Sequence, residues 1–288
     1  MTKAESDGGQ TVSSGVRVGS RGLEFTCLHL RVMQQPLNDA DVEHFRRSGW
    51  LLTSPFTEVQ ADELRQWVTD IQSWAIDNDA GKWLHYQERT DNGPKLCRTE
   101  NFTPFHEGMK RVLREGILSD IASQLLGEKA VLYKEKINYK LAGGAGYAPH
   151  QDAPAYRFVD THVSCMIAID DADANNGCLE VVDAMHADVL PMDNKGCIAE
   201  TVVNSMTWRT VPVRAGEVLW FHSCTPHRSG ANVSTSDRRA IYPTYNASRE
   251  GDLREAYYAQ KSAEFRARGN SGENVQVSLI GDFQGIPV

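Results

Sequence analysis

The segment YAPHQDAPAY places His150 and Asp152 one residue apart, between Pro149 and Pro154. On an extended strand that spacing puts an imidazole and a carboxylate on the same face, within reach of one metal ion. The flanking prolines cannot donate to a central ladder, so the segment reads as a strand end or rim, where a site open to solvent belongs. Taken alone, H-x-D arises often by chance and fits two surface side chains equally well. A second segment, TPHRSGAN, follows the apolar run VLWFHS and brings His227 on a glycine-containing turn. Two imidazoles and one carboxylate form the facial set that holds non-haem Fe(II) while leaving coordination positions open. Those positions accept a chelating 2-oxo acid and O2, a combination that oxidises the acid and drives hydrogen abstraction from a second molecule.

A 2-oxo-dicarboxylate bound in that way still presents a distal carboxylate. Arginine, planar and always charged, makes the best bidentate partner for it. Arg238 heads the run RRAIYPTYN, and Arg239 faces the other side of the same strand. An isolated Arg-Arg pair reads as ordinary strand-end charge; behind a His/Asp/His set, Arg238 reads as the anchor for the oxo-acid.

The elements that must carry these groups change character along the chain. Thr57 opens a capping-box pattern with Gln60, and Leu64, Trp67, Val68, Ile71 and Trp74 then recur at helical spacing. A shorter helix is expected from Asp39 to Ser48, stopped by Gly49, and a pair of helices from about Glu107 to Leu126, stopped by Gly127. From Val131 the period becomes two. Val131, Tyr133, Ile137 and Tyr139 point one way, and Lys134, Lys136, Asn138 and Lys140 the other. Strand-like runs follow at Thr161 to Ile169, Cys178 to Val182, Val218 to Ser223 and Arg239 to Tyr245, broken by turns such as Asn175 to Gly177. Many short strands without intervening helices predict a sandwich or barrel. A last helix is expected over Gly251 to Arg266. Residues 1 to 22, rich in Gly, Ser and Thr, read as a flexible arm. The remainder, 23 to 288, reads as one domain: a helical part at about 39 to 127, a β core at about 131 to 248 and the C-terminal helix.

In order, KINYKLAGGAGYAPHQD, NNGCLEVV, HRSGAN and RRAIYPTYN resemble the phytanoyl-CoA dioxygenase family of Fe(II)/2-oxoglutarate oxygenases, over about residues 39 to 260. The resemblance implies a mainly β fold with flanking helices, a double-stranded β-helix or cupin-like jelly roll. It implies Fe(II) on His150, Asp152 and His227, with 2-oxoglutarate and O2 as cosubstrates and Arg238 as the 2-oxoglutarate arginine. It also puts Lys136, Gln151 and Met166 near the cosubstrate, although Lys136 could equally face water with the rest of its strand. Halogenating relatives carry Gly or Ala in place of the carboxylate, so Asp152 favours hydroxylation, with desaturation as another hydrogen-abstraction outcome. The local style resembles bacterial members that hydroxylate small polar molecules, among them aminoalkylphosphonates and their N-methylated, quaternary-amine forms. An acyl-thioester substrate and secondary-metabolite tailoring are the other precedents, the former with no basic patch in sight to receive a nucleotide diphosphate. A non-catalytic jelly-roll binding protein or a zinc hydrolase would share the fold or the ligand types without the oxygen chemistry.

Further side chains flank this constellation. Arg98 and Asn101 stand in KLCRTENFTPFH beside Glu100 and His106, and Arg98 either holds an anionic substrate group or forms a buried pair with Glu100. Tyr147, Tyr156, Arg157 and Trp208 are candidates for the substrate mouth, Trp208 being also an ordinary core residue. His186 reads as structural, and His222 as a residue one layer behind the ligands.

Composition narrows the rest. The chain has 288 residues, 24% of them charged and 41% hydrophobic, with a net charge of −8. That balance excludes a general nucleic-acid binder, and no apolar run approaches the roughly 18 residues of a membrane span. Cys27, Cys97, Cys165, Cys178, Cys197 and Cys224 form no CxxC pair and read as buried thiols in a reducing, cytoplasmic setting. The expected partner is a small-molecule substrate; the oligomeric state, a homodimer among the options, is left open.

Overall fold

The computed structural model describes residues 37–75, 82–90, 93–156, 159–269, 275–276 and 284–287. The expected N-terminal arm, Cys27 and Arg157 lie outside them. Helix α1 (Asp39–Ser48) begins where the sequence predicts. The Asn38 side chain accepts from the Asp41 amide at 3.0 Å, the Asp41 carboxylate accepts from the Asn38 amide at 3.2 Å, and Gly49 closes the helix at φ +83°. After β1 (Trp50–Thr53) comes α2 (Glu58–Gln72), opened by the predicted Thr57/Gln60 box.

The helical part predicted at about 39 to 127 is corrected here, because it also contains β1 and the hairpin β2 (Leu84–Thr90) and β3 (Gly93–Glu100). The hairpin carries many charged residues and little apolar alternation, so it takes strand geometry from pairing with its neighbours rather than from local pattern. The helices α3 (Glu107–Arg114) and α4 (Ile117–Leu126) then lead into β4 (Ala130–Lys140), β5 (Tyr147–His150), β6 (His162–Ala168) and β7 (Leu179–Val182). There follow α5 (Glu200–Val203), β8 (Trp208–Val211), β9 (Val218–His222), β10 (His227–Ser229), β11 (Arg238–Ala247), α6 (Arg254–Gly269), β12 (Val275–Gln276) and β13 (Gln284–Pro287).

Two antiparallel sheets result. The larger runs β1-β9-β6-β11-β4-β3-β2-β13-β12, and the smaller runs β5-β10-β7-β8. Period-two alternation sends Ile167, Val218, Trp220 and Ile241 to the outer face of the large sheet, where they meet Leu64, Val68, Leu113 and Ile121 of the helices. Met166, Ala168, Leu219, Phe221 and Ala240 go to the inner face, against Leu179 and Val181 of the small sheet. Each fully buried Leu, Ile, Val or Phe contributes about 1.5–3 kcal/mol, so the two layers hold the sheets face to face. The architecture is the predicted double-stranded β-helix.

The strict alternation expected along β4 is broken. Leu132 pairs with Tyr245 and Lys134 with Thr244, which leaves Tyr133 as an extra, bulged residue. Leu132 therefore joins the outer core, while Tyr133 packs with Tyr156. The predicted polar face of β4 is not exposed either: Lys134, Asn138 and Lys140 are buried, because that face looks between the sheets.

Candidate active site

The small sheet brings the two imidazoles together. β5 is its edge strand, as its prolines require, and His150 at the end of β5 stands in register with His227 at the start of β10. Their ring centroids are 4.1 Å apart. Two expectations are corrected at this point: His227 belongs to a strand rather than a turn, and Asp152 does not share a strand with His150. The chain leaves β5 at His150, and Asp152 takes a helical conformation (φ −73°, ψ −33°) at the head of a short 3-10 turn, Ala153–Ala155. The Ala153 amide donates to Ser223 O at 2.9 Å, tying that turn to the end of β9. One ligand atom from each of His150, Asp152 and His227 lies within 4.8 Å of the other two. Among the described residues no other three His, Cys, Asp or Glu side chains converge in this way.

The hydrogen bonds prepare these groups for a cation. His150 Nδ1 lies 2.7 Å from Ala148 O, and His227 Nδ1 lies 3.0 Å from Thr225 O. A carbonyl only accepts, so each Nδ1 carries the proton and each Nε2 offers a lone pair. Ser164 donates to Asp152 Oδ2 at 2.8 Å and shares a second hydrogen bond with Thr244 at 2.9 Å. Burial, assisted by the charge of His227, pushes the pKa of His150 down to about 3; burial also lowers that of His227. Both rings are thus neutral, the form a metal binds. Burial alone would raise the Asp152 carboxyl, but His227, Lys134, Lys136 and His150 together outweigh it and hold the group below the usual carboxylate range. Two neutral nitrogen donors and one carboxylate suit ferrous iron.

Arg238, first in β11 and 3% exposed, lies opposite Lys140 in the sheet. Its Nη1 donates to Met166 Sδ at 3.6 Å, while its Nε has no partner among the described residues. A buried guanidinium left partly unpaired is costly, and a carboxylate is the group that completes it. Arg239 faces away, paired with Asp170 at 2.9 Å, as its position in the strand predicts.

The other predicted residues divide. Tyr147, Tyr156 and Lys136 line the pocket in front of the triad, and Met166 touches Arg238. Gln151 points elsewhere: its amide donates to Asp188 O and Cys224 O, and its oxygen accepts from the Leu190 amide at 2.7 Å, so it staples two loops. Arg98 is buried one layer back, with Nε donating to Asn138 Oδ1 at 3.0 Å and Nη1 lying 3.5 Å from Glu100, the buried pair weighed above. Asn101 is structural; it donates to Lys82 O and accepts from Arg254 at 2.9 Å. Trp208 lies on β8 with the Arg228 guanidinium 4.3 Å from its ring centroid, away from the pocket. His222 accepts from the Cys224 amide at 3.1 Å and faces His186 at 5.3 Å, so neither joins the triad.

Sequence reasoning missed Ser164, Thr244, Tyr242 and Phe221, which also line the pocket. A signal existed for two of them. Ser164 is the one hydroxyl in the buried run HVSCMIA, and its cross-strand partner is Thr244.

A jelly roll whose open end holds such a donor set, with an arginine behind it, defines a non-haem Fe(II)/2-oxoglutarate-dependent dioxygenase. The chain belongs to the phytanoyl-CoA dioxygenase (PhyH) family, whose model matches residues 45–240. It is 42% identical over 258 residues to a methylphosphonate hydroxylase of Gimesia maris, covering 88% of this chain and 98% of that protein. A 2-aminoethylphosphonate dioxygenase from an uncultured bacterium is 36% identical over 213 residues, covering 72% and 80%. Among solved structures, EctD from S. alaskensis with 2-oxoglutarate and 5-hydroxyectoine superimposes with a TM-score of 0.66 at 18% identity, covering 77% and 81%, a likeness of fold. No described helix is long and apolar enough to cross a membrane.

Proposed function

We propose that the protein hydroxylates a small organophosphonate, with His150, Asp152 and His227 as the iron ligands and Arg238 as the partner of the 2-oxoglutarate distal carboxylate. The observation that carries this reading is the convergence of two imidazoles and one carboxylate, one ligand atom of each within 4.8 Å of the others, with each side chain held by its own hydrogen bond. Bound iron, with the oxo-acid and O2, supplies the oxidising power that removes a hydrogen atom from a C–H bond.

The protein's own groups do the rest. Ala148 and Thr225 keep both imidazoles in the ligand tautomer, and Ser164 holds Asp152 Oδ2 in place. Arg238 fixes the long axis of the oxo-acid. Phe221, Leu179, Tyr156 and Tyr242 wall the pocket and limit water around the reacting carbon. The likeness to the two phosphonate oxygenases supports the substrate class. The enzyme is read as a single oxygenase domain acting on a small molecule in the cytoplasm, a setting its free cysteines suit. A succinate-release screen over small phosphonates, quaternary amines, amino acids and acyl-thioesters tests it. Stimulation by a phosphonate is expected; stimulation confined to another class overturns the substrate assignment.

A further inference from the structure

Lys134 and Lys136 stand two residues apart on β4, beyond the bulge at Tyr133, so both side chains leave the same face toward the space between the sheets. Lys134 is buried, with its Nζ 3.9 Å from the ring centroid of Tyr156; Lys136 lines the pocket, with its Nζ 5.4 Å from that of Tyr242. Among the described residues neither ammonium has a hydrogen bond, nor an anionic partner within 4.0 Å. The nearby anions are otherwise engaged. Glu100, although opposite Lys136 in the sheet, lies 3.5 Å from Arg98, and Asp152 belongs to the ligand set. An enclosed ammonium needs an anion or several acceptors to offset its lost hydration. An anionic ligand in the pocket would supply them.

That ligand is not the oxo-acid's distal end. Arg238 lies opposite Lys140, four residues along β4 from Lys136, or about 13 Å at strand spacing. The pocket wall between them adds Asn138, whose oxygen is taken by Arg98 Nε, leaving its NH2 group as a donor. Two lysine amines and an amide NH2 suit a group rich in anionic oxygens. Asp152, the one carboxylate lining the pocket, belongs to the ligand set, which leaves no side-chain carboxylate to pair with a substrate ammonium.

We propose that Lys134 and Lys136 receive the phosphonate group of the substrate, in place of the cosubstrate role the family resemblance implies for Lys136, and that they select alkylphosphonates lacking an amino or quaternary ammonium group. This rests on the phosphonate reading above.

The test uses the Fe(II)-loaded enzyme with methylphosphonate and 2-aminoethylphosphonate as probes. In Lys134→Met and Lys136→Met, the KM for methylphosphonate is expected to rise at least tenfold each. The KM for 2-oxoglutarate, and the absorption band of the anaerobic iron and 2-oxoglutarate complex, are expected to stay within twofold. Lys→Arg at either position keeps the charge and restores most of the loss. Independently of turnover, the 31P line broadening of methylphosphonate on the anaerobic complex should disappear in the Met variants. A KM effect confined to 2-oxoglutarate, or unchanged phosphonate binding in both Met variants, overturns the receptor while leaving the phosphonate reading intact. A wild-type enzyme that prefers 2-aminoethylphosphonate overturns the selectivity. No turnover of any phosphonate by wild type removes both readings together.

Discussion

His227 stands directly across from His150, one at the start of β10 and the other at the end of β5, with ring centroids 4.1 Å apart. Strand pairing therefore sets the spacing of the two nitrogen donors. Neither ring depends on a mobile loop for its position, and each has its proton held on the side away from its partner.

His150→Ala and His227→Ala should abolish the visible band that forms when Fe(II) and 2-oxoglutarate are mixed anaerobically with the protein. Arg238→Lys should keep the iron but raise the KM for 2-oxoglutarate roughly ten- to hundred-fold, since a point charge replaces a fork that makes charge-assisted bonds of about 1.5–3 kcal/mol. A full-strength band in His150→Ala would contradict the ligand assignment.

Ser164→Ala removes the hydroxyl that holds Asp152 Oδ2 at 2.8 Å. Loss of such a supporting hydrogen bond lowers metal affinity by about 10- to 100-fold. Titration of Fe(II) under nitrogen should show that drop, with a far smaller change in thermal midpoint than a large-to-small core substitution gives. Unchanged affinity would mean that the Ser164 hydrogen bond is not what holds Asp152.

Glu135 of β4 and Arg254 of α6 form a buried pair, Nε to Oε2 at 3.0 Å, and Glu135 also accepts from the Thr103 amide and hydroxyl. Arg254→Ala leaves a buried carboxylate uncompensated and should cost about 3–5 kcal/mol in denaturant unfolding. The double variant Glu135→Gln with Arg254→Met should recover much of it. Equal losses in the single and double variants would show that the pair's charge is not what matters.

Acid should destabilise the protein well above the carboxylate range. Burial lowers the pKa of His85, His162 and His222 from the ordinary 6.5 to about 4. Between those values the unfolded chain binds more protons than the folded one. The stabilisation is therefore complete above pH 6.5 and lost as pH falls toward 4, at up to about 1.4 kcal/mol per pH unit for each histidine. Thermal midpoints at pH 7.5, 6 and 5 should fall in that order, and His222→Asn should flatten the slope. A midpoint constant from 7.5 to 5 would rule this out.

Much of the site was legible because its donors announce themselves by type and spacing. Imidazole, carboxylate and guanidinium in the order His150, Asp152, His227, Arg238 suit little else than a metal and an oxo-acid, and helix caps such as Thr57 with Gln60 are local chemistry. For Gln151, adjacent to two ligands, nothing in its neighbours shows that its amide bonds the backbone at Asp188, Cys224 and Leu190. The charged hairpin β2–β3 was likewise invisible, since its strand geometry comes from pairing with β4.

The amino-acid order by itself determined which atoms can bind a cation, because donor chemistry resides in each side chain and needs no partner to exist. Tertiary structure alone decided that Lys134 is buried, that Lys136 lines the pocket and that Tyr133 bulges from its strand. It also decided that Asp152 approaches from a turn while its neighbour His150 approaches from a strand. Burial and register are properties of two segments meeting, and no single segment of sequence contains the other.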